Sequence, residues 1–206
     1  MKGHLIIISS PSGGGKGTLI KEVLERVPNL GYSVSLTTRA PRFGEEDGRH
    51  YHFVSKEEFQ DEIENDGFLE YAEVHENLYG TAKSQIDRIT AGGRDVILEI
   101  DVQGAEAVMR SVPDAVSIFI LPPSYETLRA RLTARATEKP NDLDVRLRNS
   151  LFEVSRYSLF KYVIINDEVH SAAAKLASVI VAERQLRNRQ SESIQGILDS
   201  FERSNV

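Results

Sequence analysis

The stretch "IIISSPSGGGKGTLI", residues 6–20, leaves this chain few ways to fold. Its β-branched run reads as a buried strand, and Pro11 with Gly13, Gly14 and Gly15 ends that strand. An apolar pattern of helical period follows at once through Leu19, Ile20, Val23, Leu24 and Val27, over 17–27. A strand, a glycine-rich turn and a helix together make a cradle for phosphate. The glycines can take positive φ so that successive amides point inward, and the helix start favours anions. Residues Ser12, Gly13, Gly14, Gly15, Lys16, Gly17 and Thr18 are the expected cradle, with Lys16 as a mobile point charge for the terminal phosphates.

Two positions depart from the phosphate-loop pattern G-x-x-x-x-G-K-[ST]. Ser10 stands where the first glycine is usual, which asks only for a backbone without positive φ there. Gly17 stands where a hydroxyl usually meets Mg²⁺, and Thr18 beside it is the expected substitute, acting on a phosphate or on a metal-bound water. The ending "GKGT" resembles the loop of adenylate kinases, where Gly and then Thr follow the lysine.

Three further runs read as strands covered on both faces: "DVILEID" (95–101), "VSIFILP" (116–122) and "YVIIND" (162–167). Helix patterns lie between them at 103–110, 124–136 and 142–157. That alternation predicts βαβ units and a parallel sheet. Glu99 and Asp101, two apart in one predicted strand, are expected on one face, overlooking a ligand crevice at its C-terminal end.

Residues 32–90 break the rhythm. They hold eight of the fifteen Phe and Tyr residues, which suggests an insertion with a small core of its own. Within it, Ser55 with Glu58 three residues on predicts a capped helix over 55–65. The C-terminal 171–203 is expected to be helical, with Ile194, Ile197, Leu198 and Phe201 on one face of a segment 191–203. That face is expected to pack on its own domain, with a subunit contact in a homo-oligomer as the alternative.

Composition excludes several classes. At 206 residues with 40% hydrophobic and 27% charged residues, the chain suits one ordinary globular domain with insertions. It has no cysteine, hence no disulfide or thiolate chemistry. Its apolar runs fall far short of the ~18 residues that span a membrane, and "MKGHLIII" does not read as a signal peptide, so a cytoplasmic protein without a membrane partner is expected. A net charge of −6 argues against a general nucleic-acid partner.

The segments "YSVSLTTRAPRFGEEDGRHYHFV" (32–54), "FLEYAEVHENLYGT" (68–81) and "ILEIDVQG" (97–104) carry a more specific signal. In order and spacing they resemble the guanylate kinase family, whose members move the γ-phosphoryl group of ATP to GMP. The similarity runs over about residues 4–170. It implies a P-loop NTPase α/β core with a parallel β-sheet flanked by helices, a small α/β GMP-binding insertion and a helical lid. The expected division is 1–31, 91–124 and 158–206 for the core, 32–90 for the insertion and 125–157 for the lid. ATP and Mg²⁺ are the implied co-substrate and cofactor, and dGMP an expected further acceptor.

The residue chemistry agrees with the resemblance. Arg39 and Arg42 flank Pro41, and each offers a planar fork suited to a phosphate. Tyr51 and Tyr79 can donate to the same group. Guanine presents N1–H and a 2-amino group side by side, a donor edge that a carboxylate accepts. The resemblance gives that task to Glu70, assisted by Asp101, with Ser35 and Thr81 supplying hydroxyls. Family members often carry Ser where Thr81 stands, so the hydroxyl is kept. Glu99 is expected to act on Mg²⁺ through water.

In the lid, Arg131 and Arg135 are i, i+4 neighbours, while Leu143, Leu147 and Leu151 form a stripe with Arg146 beside it. By resemblance Arg135 and Arg146 reach the transferring phosphoryl group, with Arg131 in support, and Lys16 and Arg39 complete the catalytic set. Asn166 and Asp167 belong to the adenine-side loop of that family. Two other readings compete. A kinase for another phosphorylated acceptor would have no use for Glu70 and Asp101, and a phosphopeptide-binding scaffold would not need Lys16, Arg135 and Arg146.

Overall fold

Short runs of β-branched residues build a parallel sheet because both faces can be covered by helices. The computed structural model describes residues 3–74, 76–134 and 140–204. In chain order its elements are β1 (Leu5–Ser9), α1 (Lys16–Arg26), β2 (Leu30–Ser33), β3 (Leu36–Thr37), β4 (His52–Phe53), α2 (Lys56–Glu64), β5 (Phe68–Val74) and β6 (Asn77–Ala82). There follow α3 (Lys83–Ala91), β7 (Asp95–Glu99), α4 (Val102–Ser111), β8 (Val116–Leu121), α5 (Tyr125–Ala134), α6 (Pro140–Ser155), β9 (Tyr162–Ile165), α7 (Val169–Arg184) and α8 (Ser191–Ser204).

The main sheet has five parallel strands in the order β2-β7-β1-β8-β9. Alternation along β1 divides its side chains between two cores. Ile6 and Ile8 pack with Leu19, Val23, Ile118, Leu176 and Ile180, beneath α1 and α7. Ile7 faces the other way, with Leu98, Val108, Phe119 and Phe160 beneath α4. β1 is central: the chain leaves it toward β2 on one side, and after β7 it crosses over β1 to β8 on the other. The loop after β1 therefore opens at the switch point of the sheet, where ligands of such folds bind.

A second, four-stranded sheet runs β4-β3-β6-β5. Its core is aromatic: Phe59, fully buried on α2, stacks on Phe68 with ring centroids 4.4 Å apart. Gly80 leaves room for this, since a Cβ there would stand 2.7 Å from Phe68. The capping box at α2 forms as the sequence predicts, with Ser55 Oγ accepting from the Glu58 amide and the Glu58 carboxylate from the Ser55 amide.

The sequence boundaries shift in two places. β2 pairs with β7 through Tyr32↔Ile97 and Ser33↔Leu98, so the division expected at 31/32 falls inside a strand of the main sheet. The strand expected over 95–101 stops at Glu99, because Asp101 is the N-cap of α4 and its carboxylate accepts from the Gly104 amide at 2.8 Å. Aspartate favours that cap over continued strand, so Glu99 and Asp101 do not share a strand face.

The C-terminal expectation needs correction as well. α8 buries none of its residues, and Ile197, Leu198 and Phe201 are 56, 50 and 66% exposed. Helical periodicity identified the apolar face, but nothing in a single chain's pattern says what covers it. Among the described residues no helix is long and apolar enough to cross a membrane.

Candidate active site

The loop between β1 and α1 is held open by backbone that only glycine tolerates. Gly13 and Gly15 lie in the left-handed region at φ 81° and 87°. Gly14 does not, but it too must lack a side chain, since a Cβ there would approach Ser10 Cβ to 2.9 Å. Gly15 caps α1, and a Cβ on it would stand 2.4 Å from Asn166 Nδ2. The loop is tied down from outside as well. Asn166 Nδ2 donates to the Gly14 carbonyl at 2.9 Å, while Arg131 donates to the carbonyls of Gly14 at 3.4 Å and Asn166 at 2.9 Å. Lys16 Nζ reaches across to the Ile100 carbonyl at 3.1 Å, just beyond the end of β7.

Gly17 faces a carboxylate. A Cβ at that position would stand 3.5 Å from Glu99 Oε1, and Tyr32 donates its hydroxyl to Glu99 Oε2 at 3.0 Å. Burial, and then the Glu99 charge, push the Tyr32 phenol well above its usual value, so it stays a donor. Thr18 is exposed on the first turn of α1. The position without a hydroxyl thus borders an acid from β7 that a tyrosine of β2 holds in place.

A cavity of about 960 Å³ separates α1 and the end of β7 from the second sheet. Lys16, Gly17, Ser35, Tyr51, Glu70, Tyr79 and Asp101 line it together with Glu45 and Glu99. At one end Arg39 lies with its guanidinium 5.4 Å from the Tyr51 ring centre, and Tyr51 meets Tyr79 edge-on at 5.8 Å. Arg39 Nη2 donates to both oxygens of Glu45, at 2.9 and 3.0 Å, and Glu45 also accepts from the Arg42 amide at 2.8 Å. The Arg42 side chain is exposed at the rim. At the other end the two acids meet over Gly104, where a Cβ would lie 2.9 Å from Glu70 Oε2 and 3.4 Å from Asp101 Oδ1.

Glu70 owes its position to an irregularity. The β5–β6 pairing slips between Phe68 and Glu70, so that Phe68 faces Ala82 and Glu70 faces Thr81. Such a bulge re-aims a side chain. Thr81, buried, donates to Glu70 Oε1 at 2.6 Å. Burial raises the Glu70 carboxyl above the ordinary range; the Thr81 bond opposes this and the Asp101 charge adds to it.

The helices α5 and α6 lean on the loop from the opposite side. Leu128, Leu132 and Leu147 form a small core, and the first two also press on Gly13, where a Cβ would be 2.9 Å from Leu132. Of the expected stripe, Leu147 is buried while Leu151 is 59% exposed, and the Leu143 side chain lies outside the described set. Arg131 is on the loop and Arg146 is half-buried on α6; Arg135 falls outside the described residues. Glu153 of α6 accepts from the Ser12 amide at 2.9 Å. Sequence reasoning did not single out Tyr32, Glu45 or Glu153. Only Glu45 left a trace there, as an acid within the arginine-rich "RAPRFGEEDGR".

A protein-family model described as guanylate kinase matches residues 2–183. The guanylate kinase of Clostridium perfringens (strain SM101 / Type A) is 46% identical over 193 residues, spanning 94% of this chain and 89% of that relative. The guanylate kinase of Neisseria gonorrhoeae (strain ATCC 700825 / FA 1090) is 46% identical over 199 residues, 97% of either chain. Among solved structures, guanylate kinase from Anaplasma phagocytophilum superposes with a TM-score of 0.76 at 35% identity, over 91% of this chain and 89% of that one. A phosphate loop at the sheet's switch point, facing an acid pair across one cleft, is thus accompanied by similarity along nearly the whole length: the chain belongs to the guanylate kinase family.

Proposed function

We propose that this protein transfers the γ-phosphoryl group of ATP to GMP, giving ADP and GDP in purine nucleotide metabolism. The observation that carries this reading is that Lys16 of the phosphate loop and the acids Glu70 and Asp101 open into one cavity. A donor of phosphate and an acceptor bearing a guanine edge can therefore meet inside it.

On this reading the protein has a core, a GMP-binding insertion built on the four-stranded sheet, and a lid of α5 and α6. The loop from Ser12 to Thr18 holds the ATP phosphates, with Arg131 bracing it. Arg39, Arg42, Tyr51 and Tyr79 take the GMP phosphate, the Arg39 fork exchanging Glu45 for that group. Glu70, set by Thr81, accepts from guanine, and Asp101 and Ser35 complete the base pocket. Phosphoryl transfer asks for alignment and positive charge more than for covalent help. A GMP phosphate oxygen, already anionic, bonds to the γ-phosphorus as the bond to the β–γ bridging oxygen breaks; no general base is needed. Lys16, with Arg135 and Arg146 from the lid, compensates the charge that builds up. Lid closure keeps water from taking the acceptor's place.

Magnesium suits the residues around Gly17. Glu99 brings a hard carboxylate oxygen there, and among the described residues no group of three His, Cys, Asp or Glu forms a cage for a resident ion. A cation that keeps its waters and comes with the nucleotide fits such a place. When bound, it neutralises β- and γ-phosphate oxygens. Glu99 would hold its water shell, with Thr18 as a further hydroxyl. The same reading has the protein working in the cytoplasm, free of nucleic acid and membrane, accepting dGMP, and pairing with a second copy through the open face of α8.

A coupled assay of ADP release from MgATP, with GMP, dGMP, AMP, CMP and UMP offered in turn, tests the proposal. GMP-dependent turnover well above the AMP rate is expected; its absence overturns the reading. Gly15→Ala forces a side chain at φ 87° and against Asn166. Strain of about 1–3 kcal/mol at such a site is expected to loosen ATP binding about tenfold, measured by calorimetric titration.

A further inference from the structure

The phosphate loop already carries an anion, and the protein supplies it. Glu153 Oε2 accepts from the Ser12 amide at 2.9 Å, and one turn earlier Ser150 Oγ donates to the Ser12 carbonyl at 3.4 Å. One helix, α6, thus grips both backbone polar groups of one loop residue. The charged groups felt by the half-buried carboxylate are Lys16, which favours its ionised form, and Asp101, which opposes it. Burial raises its pKa most, and the Ser12 bond works against that. The carboxylate is therefore held by an amide of the loop and feels the charge of the loop lysine, two features that also suit the loop to phosphate.

We propose that Glu153 is a built-in competitor for the triphosphate: it latches α6 onto the empty loop and must leave when ATP phosphates enter, so that loop occupancy releases the lid helix. The inference rests on the loop being the ATP site. Two anions cannot share one amide and one lysine without mutual repulsion, so binding ATP includes the work of breaking the latch. The apparent affinity is then the intrinsic one reduced by the unlatched fraction.

The test is calorimetric titration of ATP, without GMP, into wild type, Glu153→Gln and Glu153→Ala. Glu153→Gln keeps size and an acceptor for Ser12 while removing the charge, so a folded loop is retained. Both variants are expected to bind ATP about 3- to 10-fold more tightly, the factor by which latching lowers the competent fraction, with GMP affinity unchanged. Unchanged or weaker ATP binding by Glu153→Gln, in a wild type that turns over GMP, overturns the latch and makes Glu153 a support of the loop. A wild type that neither binds ATP nor turns over GMP overturns the latch together with the kinase reading.

Discussion

Replacing Lys16 by Ala lowers kcat for transfer to GMP by about 10²–10³-fold, the usual cost of removing one preorganised group aimed at developing charge. The lysine starts α1 immediately after Gly15, and its ammonium bridges the cavity to the Ile100 carbonyl. It therefore stands between the loop and the end of β7, where the proposed reading has the donor phosphate meet the acceptor. Charge on the transferring group grows in the transition state, so the loss falls mainly on kcat, while KM for GMP, which the proposed reading assigns to Arg39 and Glu70 across the cavity, changes little. Lys16→Arg should not restore the rate, because a planar fork cannot replace a compact ammonium in a cradle closed by Gly13 and Gly15. Steady-state kinetics with calorimetric ATP binding decide it. A variant that lost only ATP affinity and kept its kcat would remove Lys16 from the catalytic set.

That prediction rests on the part of the molecule most legible in the sequence. Glycine at positive φ and a lysine at a helix start are constraints of the local backbone, so "SGGGKG" announced its own geometry. The buried strands were readable for a similar reason, since runs such as "LIII" and "SIFIL" exclude most alternatives. The β pattern of "YSVSLTT" is legible, but its placement in the insertion is not right for Tyr32 and Ser33: "LGYS" has only four residues and one glycine, and the main sheet holds it by pairing to β7 rather than by propensity. Asp101 reads as strand in the sequence because capping depends on the turn that follows. Glu153 and Ser12 are 141 residues apart, and no local pattern relates one acid on a helix to an amide in a distant loop. The bulge that aims Glu70 is likewise a property of the β5–β6 pair, invisible in either strand alone.

Glu70→Gln tests that bulge and the base pocket together. Guanine offers two adjacent donors; a carboxylate accepts both, whereas an amide accepts one and turns its own N–H₂ toward the other. Hydrogen bonds to charged groups contribute about 1.5–3 kcal/mol each, so kcat/KM for GMP should fall about 10²-fold. Adenine offers an acceptor beside a donor, which the amide matches, so the AMP rate should hold or rise and the GMP preference should shrink by at least the GMP loss. The pH dependence gives an independent readout. Only the ionised carboxylate accepts both guanine donors, and it exists above the pKa of the group. Burial, with Asp101 adding and Thr81 opposing, places that pKa above the ordinary glutamate value of 4.5, so wild-type GMP affinity should begin to fall at a higher pH than an exposed glutamate would cause. A carboxyl whose pKa is raised by folding contributes stability below its unfolded value and loses it as pH rises through the folded one. The acid-side loss of GMP binding therefore occurs while this group favours the fold, so protonation of Glu70 does not itself unfold the chain. Glu70→Gln should flatten that limb of the profile while leaving ATP binding as it was. An unchanged GMP-to-AMP ratio, or an acid limb that survives the substitution, would move guanine recognition away from Glu70, with Asp101 the nearest carboxylate across Gly104 to take it.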